Sequence, residues 1–356
     1  MSNSFGEKFK ITIFGQSHSE AIGIVIDGIP AGVRLDIEKI LNFMARRAPG
    51  KNAYSTTRKE ADLPEIVSGV VDGITCGAPI CAIIKNNNQN SKDYSKLKTL
   101  PRPSHADLAA YFKYGTFRDH RGGGEFSGRL TAPLCVAGYL CMTYLKTLGI
   151  HIGAHIASVG GIADDQFSIE PAAEELLAPG KKDFPVLNEE KGKVMQEIIL
   201  RAKGEADSVG GSIECAVTGI PAGTGDSSFG GMEGRIALAM FGIPAVKGVE
   251  FGSGFAGCEK RGSENNDPIR TDGKRIYTET NNAGGLMGGI ANGMPVVFRV
   301  GIKPTPSIGK EQRSISLSRM ENTSLVIEGR HDPCIVQRAV PVVEAVAALA
   351  VADSLL

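Results

Sequence analysis

Neither sign of charge predominates in this chain of 356 residues, since Lys and Arg together number 39 and Asp and Glu also number 39. Without a net field to draw a polyanion or an anionic bilayer, nucleic-acid binding and membrane attachment drop out as functions, and arginines matter only where they cluster. Paired cysteine motifs are missing as well. The seven cysteines, at 76, 81, 135, 141, 215, 258 and 334, form no C-x-x-C. That disfavours structural zinc, and the odd number points to free thiols in a reducing compartment. The N-terminal MSNSFGEKFKITIFG holds no apolar run of signal-peptide length, so a cytoplasmic location is expected. The apolar stretch 339–356 is interrupted by Glu344 and Asp353. It barely reaches the roughly 20 residues of a membrane span, and reads as a buried or interface helix. No Walker sequence occurs, and GSGFAG at 252–257 is followed by CEKRGSENND where a dinucleotide fold requires a helix.

Glycine, by contrast, is abundant: 45 residues without a period, marking many tight turns between short elements. The stretch 118–129, RDHRGGGEFSGR, is the focus of the chain. Gly122, Gly123 and Gly124 can adopt positive φ and turn backbone N–H groups into one concavity, while Arg118, Arg121 and Arg129 bring permanent charge. A helix predicted from Leu130 places its positive end just behind the glycines. An anionic small molecule is the implied ligand.

Along the chain, strands are expected at 9–14 and 22–27, separated by the polar insert GQSHSEA. Asp36 caps a helix whose Ile37, Ile40, Leu41 and Met44 share a face, and which Arg46 and Arg47 close before Pro49. Strands follow at 65–71 and 78–84, then a long polar loop, helices at 105–114 and 130–148, and a strand at 150–159. The segment 163–193 reads as a peripheral excursion. Helices at 194–203 and 232–241 alternate with strands at 212–218, 245–251, 296–302 and 324–327 before the C-terminal helix. This alternation defines an α/β (α+β) body in one domain, 1–356. Three echoes divide it into pseudo-repeats of roughly 9–150 and 205–356: GIPAG at 28–32 and 219–223, GIxxGxP at 73–79 and 289–295, and Arg102 with His105-Ala106-Asp107 against Arg330-His331-Asp332. Pseudo-twofold symmetry is expected, with a site fed from both halves and related strand orders.

Among candidate residues, His18 lies in a polar insert between apolar strands. GQSHS approaches a nucleophile elbow but ends in Ser19, and no Asp and His follow in hydrolase order. KPTPS at 303–307 ends a strand with two prolines and two hydroxyls. GRHDP at 329–333 sets a basic residue, an imidazole and a carboxylate at a strand-to-helix junction, with Asp332 also a possible N-cap before Pro333. Guanidinium groups, histidines, one well-placed carboxylate and glycine-rich backbone, without a metal set or an activated nucleophile, suit a polyanionic substrate undergoing proton or leaving-group chemistry.

In order, FGQSHS, RRAPG at 46–50, RPSHAD at 102–107, RDHRGGG with SGR, AVKGVE at 245–250, NNAGGLMGGIANG at 281–293, KPTPS and GRHDPC at 329–334 run through the whole chain. In these the chain resembles the chorismate synthase family. The resemblance implies a β-α-β sandwich, a homotetramer, and a carbon–oxygen lyase. The implied reaction is anti-1,4-elimination of phosphate from 5-enolpyruvylshikimate 3-phosphate, giving chorismate. It also implies reduced FMN without net redox change. By the same resemblance His18 protonates the departing phosphate, His105 stabilises anionic flavin as a cation, Asp332 assists proton removal, and Ser17 and Ser127 are catalytic. Arg46, Arg47, Arg129 and Arg330 grip the substrate. Flavin contacts come from Glu125, Phe126, Ser127, Pro244, Ala245, Gly288, Lys303, Pro304, Thr305, Pro306, Ser307 and Arg330. Glu125 stands where many members carry Arg, which leaves backbone contact there. Ala53 stands where members often carry an Arg associated with NADPH, so Arg47 alone remains of that pair, and no intrinsic flavin reductase is expected. A flavin-dependent oxidoreductase and an anion-binding module are the alternative classes.

Overall fold

The computed structural model describes residues 3–50, 54, 62–87, 96–327 and 331–355. It opens with strands β1 (Ser4–Phe5), β2 (Lys10–Gly15) and β3 (Ala21–Asp27), then helix α1 (Ile37–Arg47). β4 (Pro64–Ser68), β5 (Val70–Val71), β6 (Ile74–Thr75) and β7 (Ile80–Lys85) lead to α2 (Asp107–Tyr114) and α3 (Thr131–Thr147). The second half runs β8 (His151–Val159), β9 (Ile162–Ala163), α4 (Ala173–Leu177), α5 (Glu189–Gly204), β10 (Gly211–Thr218), α6 (Met232–Phe241) and β11 (Val246–Phe251). Two single-turn helices, α7 (Gly254–Gly257) and α8 (Gly262–Asn265), precede hairpins β12 (Ile269–Thr271)–β13 (Ile276–Thr278) and β14 (Leu286–Met287)–β15 (Ile290–Ala291). β16 (Val296–Ile302), β17 (Gln312–Ser316), β18 (Glu321–Leu325) and α9 (Val336–Leu355) complete the chain.

Two five-stranded antiparallel sheets enclose a helical layer. Their orders are β1-β2-β3-β7-β4 and β11-β16-β10-β8-β9. Setting aside the two-residue edge strands, the strand that precedes each GIPAG turn (β3, β10) pairs with the strand that follows each GIxxGxP turn (β7, β16). β2 and β8 flank the first of these, β4 and β11 the second. The two sheets therefore share one strand order, and α1 and α6 occupy equivalent places between strands, but the second sheet takes β8 from 151–159, which lies outside the pseudo-repeat expected at 205–356.

Helix α9 is buried nearly end to end and packs on α1, α3, α6, β8 and β10. Its Ala/Val-rich sequence allows close approach, and the crossing with α3 requires Gly138, where a Cβ would land on the backbone of Ala345. The charges that interrupt its apolar run are matched. Asp353 accepts hydrogen bonds from the backbone N–H groups of Glu7, Lys8 and Phe9 at 2.8, 2.8 and 3.0 Å and pairs with Arg235. Among the described residues no helix is long and apolar enough to cross a membrane.

Several boundaries differ from the sequence reading. The helix expected from 194 begins at Glu189, because the Asn188 side chain accepts from the N–H groups of Glu190 and Lys191. The strand expected at 65–71 is broken by Gly69 at φ +80°. The segment 163–193 is not wholly peripheral. Phe167, Leu176, Phe184 and Val186 are buried, and Asp164 reaches inward to His155, which is fully buried against Glu214 as well.

Candidate active site

The turn after β2 is held by Ser19, whose Oγ accepts from the Gln16 N–H at 2.9 Å, and it leaves Ser17 and His18 buried. The glycine loop closes on this turn: Ser17 N donates to Gly124 O at 3.1 Å. Gly122, Gly123 and Gly124 have φ of +60°, +88° and +57°. A Cβ on Gly122 would meet Ser17 Oγ and His18 Cδ2 at 2.6 Å, and one on Gly123 would meet His105 Nε2 at 3.1 Å. Only glycine lets this backbone pass so near two histidines. The loop arginines divide. Arg118 donates to Lys98 O at 2.7 Å and lies over the Tyr111 ring, and Arg121 pairs with Asp119, so both brace the loop rather than supply the concavity. Only Arg129 turns inward.

Arg129 and Arg47, both buried, hold opposite oxygens of Asp62. Burial alone would raise the Asp62 carboxyl; the two guanidiniums outweigh it and hold the group below its usual range. Arg47 also donates to Thr131 Oγ1 and to Gly128 O, each at 3.1 Å. Arg129 Nε donates to Asn86 Oδ1 at 2.9 Å, and Asn86 Nδ2 donates to Ser19 O at 2.9 Å, tying the arginines to the His18 turn. On the other side Arg338 donates to Arg47 O at 3.0 Å and pairs with Asp332. His18, Arg47, Arg129 and Asp332 thus belong to one connected cluster.

Arg46 does not. Both of its terminal nitrogens are committed to Glu344 on α9, at 2.6 and 2.8 Å, with the guanidinium 5.3 Å from the centre of the Phe43 ring. Arg46 is thus placed away from the residues with which it was expected to grip substrate: neighbouring positions on a helix point about 100° apart, and of the two only Arg47 faces the cluster. Arg330 and Ala53 lie outside the described residues.

His105 sits 2.8 Å by its Nδ1 from Asp107 Oδ1, and Arg102 clasps Asp107 through Nε at 2.7 Å and Nη2 at 2.9 Å. Burial lowers the His105 pKa, the bond to Asp107 raises it, Arg102 lowers it again, and the balance is below the ordinary value. Arg102 Nη1 donates to Ser307 Oγ at 3.1 Å, which brings the KPTPS segment alongside His105. Lys303 donates through Nζ to Ser104 O and through its backbone N–H to Ala245 O, where Ala245 itself holds φ +76°. Ser208 Oγ donates to Thr305 O at 2.7 Å, and Pro306 O accepts from Gln312. Pro304 lies against Gly210, and Pro244 precedes Ala245 at the end of α6. Ser127 Oγ accepts from Arg129 N at 3.3 Å, beside a half-buried Glu125 and an exposed Phe126. Gly288 is not gathered with these. It lies in the β14–β15 turn, where Met232 N donates to Gly289 O at the start of α6. Ala245 follows the other end of that helix, and ten residues span about 15 Å.

Asp62, Asn86 and Arg338 were not singled out by sequence, and Arg102 and Asp107 were noted only as part of an internal echo, without a role in the site. Arg102 and Asp107 flank His105 inside RPSHAD, and that adjacency was their signal. Asp62, Asn86 and Arg338 carried none.

A helical layer between two sheets, with a buried cluster of arginines and histidines around a glycine loop, defines an enzyme acting on a small anionic substrate. The sequence model of the family described as chorismate synthase matches residues 9–356, and the chain belongs to that family. It is 44% identical over 353 residues to a chorismate synthase of Dehalococcoides mccartyi strain BAV1, covering 99% of this chain and 96% of the relative. With the Archaeoglobus fulgidus protein of that name it shares 45% over 354 residues, 99% and 97% of the two chains. A crystal structure of chorismate synthase superimposes with a TM-score of 0.76 at 29% identity, covering 98% of this chain and 92% of that one. The activity is accordingly that of a carbon–oxygen lyase, forming chorismate at the last step of the shikimate pathway by elimination of phosphate from 5-enolpyruvylshikimate 3-phosphate. The family depends on reduced flavin.

Proposed function

We propose that the cluster around Gly122–Gly124 is where this elimination takes place, and that the flavin is reduced FMN. The observation that carries the reading is the glycine loop in contact with both His18 and His105. The residues fit a flavin: Thr305 Oγ1 is buried with no hydrogen-bond partner among the described residues, and the Lys303 amine stands close by, on Ser104 O. When bound, reduced FMN supplies electron density to the breaking C–O bond and recovers it as hydrogen leaves. His18 holds a proton for the departing phosphate. Arg47 and Arg129, with Arg330, bind the substrate's anionic groups in forked geometry. His105 presents Nε2 toward the flavin, and Asp332, held by Arg338, receives the ring proton. Ser17 and Ser127 orient substrate beside His18 and Arg129. Glu125 to Ser127, Pro244-Ala245 and Lys303 to Ser307 line the flavin side.

Gly288, about one α6 length away, reaches flavin only from another copy of the chain. We take the assembly to be a homotetramer; self-association is supported by the exposed Phe229, Leu238 and Phe241 at α6 and Phe255 on α7. We place the protein in the cytoplasm, take 9–150 and 205–356 as pseudo-repeats of one domain with β8 completing the second sheet from between them, and assign it no nicotinamide site, since Ala53 stands where the resemblance expects the second arginine.

The test is anaerobic phosphate release from 5-enolpyruvylshikimate 3-phosphate with and without reduced FMN. Elimination leaves the flavin reduced at the end; an oxidoreductase would leave it oxidised, and a binding module would release nothing. His18→Ala and His105→Ala are expected to fold normally and lose about 10²–10⁴-fold in turnover. Turnover driven by NADPH alone would overturn the absence of a nicotinamide site.

A further inference from the structure

Resting on the reading of His105 as a working group, we infer that Asp107 is its positioning residue. Asp107, clamped by Arg102, fixes the imidazole as the Nδ1–H tautomer, so that Nε2 alone faces the glycine loop and whatever binds there.

The shorter of two contacts points to the tautomer. Two groups approach His105 Nδ1: Asp107 Oδ1 at 2.8 Å and Arg102 Nη2 at 3.1 Å. A guanidinium nitrogen only donates and an ionised carboxylate only accepts. Were Nδ1 bare, its lone pair would face a carboxylate oxygen at the shorter of the two distances. With a proton on Nδ1 the contact becomes a charge-assisted hydrogen bond, and Arg102 Nη2, which carries two protons, gives one to the same Oδ1, 2.9 Å away; the opposite tautomer would let Nη2 donate to Nδ1 at 3.1 Å, but only by setting the ring lone pair against the nearer carboxylate oxygen. The carboxylate is fixed in turn by the N–H of Arg102 at 3.1 Å and by its Nε at 2.7 Å. Both Arg102 and Asp107 are about 95% removed from solvent, and ionised Asp107 is favoured further because Arg102 and His105 together outweigh the burial that would raise its pKa.

The tautomer has a chemical consequence. Asp107 and Arg102 cancel in charge, so the imidazole lies among balanced neighbours, with Lys303 the remaining cation that lowers its pKa. The ring is neutral when the site holds no anion, with a lone pair on Nε2 next to Gly123. An anion seated against Nε2 draws a proton onto that atom and no other, since Nδ1 is already occupied. Arg102 Nη1 on Ser307 makes the arrangement continuous with the KPTPS segment.

The experiment is 15N NMR of histidine-labelled full-length protein without ligands, with the His105 signals assigned by their loss in His105→Gln. The expected pattern is a pyrrole-like Nδ1 and a pyridine-like Nε2; the reverse pattern overturns the inference without any reference to catalysis. In turnover, Asp107→Asn is expected to lower kcat about ten- to a hundredfold with KM for the substrate little changed, the size found for carboxylates that orient metal-bound imidazoles. It should also move the pH profile of kcat to the acid side, and Asp107→Glu should recover part of the loss. Unchanged kcat and pH profile in Asp107→Asn would equally sink it. Wild-type protein that shows the expected NMR pattern but releases no phosphate would refute the function proposed above and leave the tautomer assignment standing.

Discussion

Arg46 separates two accounts of one residue. The family resemblance makes it a substrate ligand, whereas the structure engages both of its terminal nitrogens with Glu344, whose Oε1 also accepts from Ala154 N at 3.2 Å. Removing one partner of a buried ion pair costs about 3–5 kcal/mol, while replacing both by apolar groups of similar volume is often neutral. The two single changes should differ. Arg46 keeps 23% of its side chain exposed against 3% for Glu344. Arg46→Met therefore strands the better-buried charge and should fall at the upper end of that range. Glu344→Leu leaves a cation that water still reaches and should fall at the lower. With an unfolding entropy of roughly 2.1 cal/mol/K per residue, the change in Tm is about 4–7 °C, read by thermal denaturation at fixed protein concentration because assembly shifts Tm. The double variant Arg46→Met/Glu344→Leu should return to within about 1 kcal/mol of the wild type and keep its KM. A double variant as unstable as the worse single change would refute the ion-pair account. So would restored stability with KM raised tenfold or more, which would return Arg46 to the substrate.

Gly122→Ala should abolish most phosphate release, since the new methyl must displace His18 and Ser17 and the residue must hold φ +60°, whereas Gly128→Ala, with open space at its Cβ and no positive φ, should stay near wild type. His155 should make stability fall in alkali. Burial pushes its pKa down, but hydrogen bonds to Asp164 and Glu214 outweigh this and raise it above 6.5. Its contribution is therefore complete below pH 6.5 and lost as pH rises through the folded value. His155→Asn should flatten the alkaline decline in Tm between pH 6.5 and 9; an unaltered decline would remove His155 as its cause.

What could be read from the sequence follows the range of the forces involved. Helix α6 and strand β16 fall where periodicity places them, and Asp36 caps α1 as its position suggests, with its side chain accepting from Lys39 N. These depend on neighbours a few residues away. The start of α5 was misplaced because a cap, not an apolar stripe, sets it. In the site, His18 stood out because it lies in a polar insert between apolar strands and His105 through the RPSHAD echo and the family resemblance, but their closeness to each other depends on three glycines with φ no residue letter displays. The fates of Arg46 and Arg47 were unreadable in principle. Adjacent letters face Glu344 and Asp62, and one of those partners lies 298 positions along the chain.

The burial of α9 bears on how the chain acquires its shape. It touches α1, α3, α6, β8 and β10 yet follows all of them in the chain. A nascent polypeptide that has not released it from the ribosome has α3 to lay on the first sheet but leaves β8 and β10 of the second without the helix that covers them, and the first turn, which Asp353 fastens, has nothing to grip. Assembly of both halves must therefore wait for this late rod, and a chain interrupted before it is a client for chaperones rather than a smaller working enzyme.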